Sequence, residues 1–99
     1  MVRINWTIQA KDDLKNIADY ISIDSKLYAK IQVIKLKERT RILKSYVWAG
    51  KTVQEINNEE IRELQEGNYR IIYRIVSNTQ IDILTIHHSS RDLSKRKIP

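Results

Sequence analysis

The chain has 99 residues, of which 41% are hydrophobic and 30% charged, with a formal net charge of +6. That length holds one domain, expected over residues 1–99, and lets roughly 60–65% of the unfolded surface be buried. The composition excludes a disordered chain, the lack of a long apolar run excludes a transmembrane span, and the lack of cysteine excludes a disulfide frame and thiolate chemistry.

The opening residues contain no signal-peptide apolar stretch, so a cytoplasmic location without a membrane partner is expected. Val2 to Trp6 alternates as a short strand, with Val2, Ile4 and Trp6 opposite Arg3 and Asn5. Thr7 is a candidate N-cap. From there Ala10, Leu14, Ile17, Ala18 and Ile21 step at helical spacing, so a first helix is expected over 7–23. Asp24-Ser25 supplies a break and a second cap. A second helix is expected over 25–46, with one apolar line of Leu27, Ile31 and Ile34 and an adjoining line of Val33, Leu36 and Leu43. The two helices read as an antiparallel hairpin.

Gly50 opens a loop that runs to Asn58, and beyond it the apolar period changes from 3.6 to 2. Strands are expected over 60–65, 69–76 and 81–88, joined by turns at Gly67-Asn68 and at 77–80. The expected fold is α+β: an N-terminal strand, an antiparallel helical hairpin, then a three-stranded antiparallel meander. The first strand joins the sheet, the helices cover one face, and the face carrying Arg70 and Arg74 is partly open. The aromatics Trp6, Tyr20, Tyr28, Trp48, Tyr69 and Tyr73 are expected mostly in the core.

Charge is unevenly spread. Residues 24–46 carry seven bases against two acids, and residues 91–99 carry four against one. An anionic partner is therefore favoured. No glycine loop for phosphate, no metal-ligand spacing and no nucleophile elbow is present. His87 and His88 are adjacent, so on a strand they point to opposite faces. His87 reads as packed or as surface. Arg62, Arg70, Arg74, His88 and Arg91 cluster on or beside the meander. If they converge, the guanidinium groups can hold phosphate and His88 can move a proton. The other reading is that Arg62 and Arg74 pair across strands with Glu60, Glu63 and Glu66.

The sequence resembles the ParE/RelE superfamily of type II toxin–antitoxin toxins over nearly its whole length. The resemblance is carried by Trp6-Thr7, Ala10, Asp13-Leu14, Ile17 and Tyr20-Ile21; by Gly50-Lys51, Val53 and Glu55; by Ile61-Arg62-Glu63-Leu64 with Gly67 to Ile75; and by Ile83 to Ile86 with His88 to Leu93. Gln54 stands where proline is usual. Its local wording is most similar to ParE, which implies a toxin that binds DNA gyrase and is held by a cognate antitoxin in a hetero-oligomer. Target contact is then expected from Arg62, Arg74, Arg91 and Arg96. The alternative implied by RelE-like and YoeB-like relatives is cleavage of messenger RNA on the ribosome. There Glu55, Arg70, His88 and Arg91 are the expected catalytic residues, although Glu63 stands where RelE has a lysine. Neither reading calls for a cofactor or a metal.

Overall fold

The computed structural model describes residues 1–98. Strand β1 (Arg3–Trp6) leads into helix α1 (Ile8–Ser22) and helix α2 (Lys26–Arg39). Strands β2 (Lys51–Thr52), β3 (Ile61–Glu66), β4 (Tyr69–Ser77) and β5 (Gln80–His88) follow. They form one five-stranded sheet in the order β1-β5-β4-β3-β2. The strands β2 to β5 pair antiparallel, and β1 runs parallel to β5. The expected α+β architecture is the one observed. Among the described residues, no helix is long and apolar enough to cross a membrane.

Thr7 caps α1 by accepting from the Ala10 backbone N–H, and its own hydroxyl donates to the Ile83 carbonyl of β5 at 2.8 Å. One side chain thus starts the helix and fixes it to the sheet. Ser25 caps α2 in the same way through the Tyr28 N–H. The second helix is shorter than the apolar pattern suggests. It ends at Arg39 and continues as a 3-10 turn over Thr40–Lys44. Thr40 turns its hydroxyl back onto the Lys37 carbonyl, and Leu43 still reaches the core from the turn.

The main core lies between the helices and the sheet. Ala10, Leu14, Leu36 and Leu43 pack on Leu64, Ile71, Tyr73, Ile75, Ile81, Ile83 and Ile86. A second apolar cluster covers the opposite face: Val53, Ile61, Ile72, Leu84 and Leu93, with Ile56 and Ile98. The face that carries Arg70 and Arg74 is partly open, with Arg74 exposed. The 53–60 loop and the C-terminal segment fold over part of it. A register shift between Ile72 and Tyr73 leaves Leu84 as an extra residue in β5. Such a bulge lets Ile83 and Ile86 serve the first cluster while Leu84 serves the second.

The expected core aromatics divide. Tyr73 is fully buried, and Trp6 and Tyr69 are half-buried, but Tyr20, Tyr28 and Trp48 are exposed. Pattern alone overestimated their burial: of the seven strand residues in that core five are isoleucine, which leaves little room for large rings.

Candidate functional site

Arg70 points away from the helices, as strand alternation expects, but it is not free. Its guanidinium grips Glu55 through two hydrogen bonds of 2.8 and 2.9 Å, and its Nε donates to Glu63 Oε2 at 2.8 Å. A further contact joins Nη2 to the same Glu63 oxygen. Lys51 approaches the other oxygen of Glu63 at 3.7 Å. The arrangement follows from register: Glu63 faces Ile72, one diagonal step from Arg70, and the loop after Val53 lowers Glu55 onto the pair. Arg70 is 15% exposed and Glu63 only 7%. The hydrogen bonds from Arg70 hold the Glu55 carboxyl down at about 2, against the opposing effect of burial. Arg70 in turn is held more firmly protonated, chiefly by Glu55.

The expected cluster does not assemble. Tyr69 pairs with His88 and Arg70 with His87, so His88 lies on the helix side of the sheet and Arg70 on the other. His88 stands edge-on to Tyr69 with ring centroids 5.3 Å apart. The histidine on Arg70's side is His87, which is buried and engages the Arg91 carbonyl through Nε2 at 2.9 Å. Glu55 and Arg70 are brought together; His88 is not with them. Arg91 is exposed and lines a cleft on the His88 side.

The expected cross-strand pairs of Arg62 and Arg74 with glutamates are not formed among the described residues. Arg62 donates to the Gly50 and Glu59 carbonyls and lies 4.7 Å from the Trp48 ring centre, a cation–π contact. Arg74 is exposed opposite Ile61 and Asp82. Glu63 is taken by Arg70 instead. Arg96, expected as a target contact in the basic tail, is committed to Asp13. Asp13 is buried and also accepts from the Thr85 hydroxyl and from the Ile86 backbone N–H at 3.0 Å. Together these bonds strap the C-terminal segment across the end of α1 and β5. Helical spacing carried the signal: Asp13 falls three residues after Ala10 and four before Ile17, on the core side of α1.

The outer face of the hairpin is the other unusual surface. Leu27, Tyr28, Ile31 and Ile34 of α2 are all exposed, Leu27 and Tyr28 at 68% each. They recur every three or four residues, so they form one continuous apolar stripe. Lysines at 26, 30, 35 and 37 surround it. The adjoining line is the one that faces the core, through Leu36 and half-buried Val33.

A small mixed sheet thus carries a helical hairpin on one face, and the hairpin carries an exposed apolar stripe. The family model described as the ParE toxin of type II toxin–antitoxin systems, parDE, matches residues 4–93, and the chain belongs to that family. A solved structure described as a chromosomal ParDE toxin–antitoxin system from P. aeruginosa shares the fold. Its TM-score is 0.71 at 24% sequence identity, covering 89% of this chain and 96% of that one. A comparison with curated proteins gave no match.

Proposed function

We propose that this ParE-family chain arrests growth by binding DNA gyrase, and that a cognate antitoxin neutralises it in a hetero-oligomer. The observation that carries a binding rather than a catalytic mode is the state of Arg70. Its charge is answered by two carboxylates, and the sheet separates it from His88. A ribonuclease built on Glu55, Arg70, His88 and Arg91 needs these groups on one side of the sheet, and here Glu55 and Arg70 lie across it from His88 and Arg91. The decisive experiment sets purified protein against gyrase supercoiling and against messenger RNA on ribosomes. Inhibited supercoiling or trapped cleaved DNA, with intact messenger RNA, is the expected result. Cleaved messenger RNA with unaffected gyrase reverses it.

For the antitoxin, the reading rests on the exposed stripe of α2 and its lysines. An amphipathic segment with acidic flanks suits both features: the stripe supplies apolar burial and the lysines supply attraction.

A further inference from the structure

A cleft of about 460 Å³ opens between α1 and the ends of β4 and β5, on the side of the sheet opposite Arg70. Its walls include Ile17 and Tyr20 from α1, Tyr69, His88, and Arg91 and Arg96 from the C-terminal segment. Several polar groups there are donors without a partner. The Ser90 backbone N–H donates to His88 Nδ1 at 3.2 Å, so the neutral ring carries its proton on Nε2, which has no partner among the described residues. Arg91 forms no ion pair among the described residues. Arg96 answers Asp13 through Nη2, but its Nε is buried without an acceptor. Asp13, the one carboxylate in the lining, is fully occupied by Thr85, Ile86 and Arg96. Clustered donors without acceptors, one of them buried, call for an acceptor. Burial, with Tyr20 nearby, pushes the Tyr69 hydroxyl up, and Arg91 opposes this, consistent with a cation held close to that ring.

We propose that this cleft binds a phosphate monoester carried on a flat ring, as in a nucleoside monophosphate or the phosphorylated end of a nucleic-acid strand. Arg91 and His88 Nε2–H hold the oxyanion, and Arg96 adds positive charge behind them. Tyr20, Tyr69 and Ile17 supply the apolar and aromatic surface for the ring. The volume suits a ligand of that size. The site uses neither Arg70 nor the α2 stripe; it shares Arg91 and Arg96 with the expected target contacts, so its test reads binding in the cleft and not gyrase inhibition.

The test is an NMR titration of the full chain at constant ionic strength. The probes are AMP, adenosine, and a short single-stranded oligonucleotide with either a 5′-phosphate or a 5′-hydroxyl. AMP is expected to shift the Tyr69 and His88 ring signals saturably, at least tenfold more tightly than adenosine. Arg91→Ala, an exposed position, should weaken AMP at least tenfold, while Lys44→Ala, which removes the same charge elsewhere, should change it less than twofold. Tighter binding of the 5′-phosphorylated strand than of AMP identifies a strand end as the source, and the reverse identifies the free nucleotide; either supports the site. Equal weakening by Lys44→Ala, adenosine binding as tightly as AMP, or no saturable shift in the cleft overturns it.

Discussion

Arg70 shows how little a residue's type says about its role. On an open strand face an arginine is expected to be a cheap, solvated cation, and its replacement to cost on the order of 1 kcal/mol or less. Here it is the counter-ion of a carboxylate that is 7% exposed. Arg70→Ala leaves Glu63 buried with only the more distant Lys51 for company. The expected loss is about 2–4 kcal/mol by urea denaturation. Adding Glu63→Gln to Arg70→Ala should recover part of it, because the stranded charge is gone. No recovery in the double variant would mean that the guanidinium stabilises by packing alone. Glu55 gives the pH counterpart. Its folded-state carboxyl is held at about 2 against an ordinary value of 4.5. A depressed carboxylate stabilises the fold above its unfolded value, and that stability is lost as pH falls through the folded one. The wild-type chain should therefore lose stability between about pH 4.5 and about pH 2 more steeply than Glu55→Gln, with the two tracking each other in slope near neutrality. Equal acid slopes would show that the Glu55 pair does not persist in solution.

At the scale of the element, the turn after the 3-10 segment has a single buried anchor. The Tyr73 hydroxyl donates to the Val47 carbonyl at 2.9 Å and accepts from the Gly50 N–H at 2.9 Å. Burial pushes that hydroxyl up, while the Gly50 N–H and Arg62 oppose it. Gly50 is held so closely that an added Cβ would stand 2.5 Å from the Glu63 carbonyl oxygen and 2.7 Å from the Tyr73 hydroxyl. Tyr73→Phe leaves both turn groups without their partner and should cost about 1–3 kcal/mol. Gly50→Ala must displace backbone of β3 and should cost a similar roughly 1–3 kcal/mol. Melting curves for the two variants check this, and a Gly50→Ala chain as stable as wild type would rule out the close approach. Gly50 was legible in the sequence only as a loop opener. The steric demand comes from β3 and β4, far away in the chain, and no local pattern encodes it. Strands β1 and β3 to β5 and the caps were legible because period and capping chemistry are local, while β2 fell in the expected loop: Thr7, Ser25 and the Gly67 turn all serve as expected. The meeting of Arg70 with Glu63 was less so. Which histidine shares Arg70's side depends on the β4–β5 register, and that pairing carries irregularities at Ile72/Tyr73 and at Ile75/Ser77. Alternation cannot count bulges in advance. The early end of α2 escaped for a related reason. Leu43 remains on the core side in a 3-10 turn, so the apolar line continues after the helix has stopped.

Across the whole molecule, charge and apolar surface are placed so that encounter and binding are separable. Residues 24–46 hold most of the positive surplus, and the same stretch carries the exposed line of Leu27, Tyr28, Ile31 and Ile34. Lysines on a solvated helix act over distances comparable to the Debye length, roughly 8–10 Å at physiological salt, whereas apolar contact acts only on touching. An acidic antitoxin segment should therefore be drawn in by charge and retained by the stripe. Raising salt from low to physiological strength should slow association by about tenfold or more and leave dissociation nearly constant. Ile31→Ala with Ile34→Ala should do the reverse: association nearly unchanged and dissociation accelerated by roughly ten- to a hundredfold, as expected for loss of two apolar anchors. Because both side chains are substantially exposed in the free chain, the double substitution should leave the melting temperature within a few degrees of wild type. Stopped-flow association and dissociation with the cognate antitoxin, run beside thermal melts, distinguishes these outcomes. Salt-independent association removes the lysines from the encounter, and a double variant that still releases the antitoxin at the wild-type rate removes the α2 stripe from the interface.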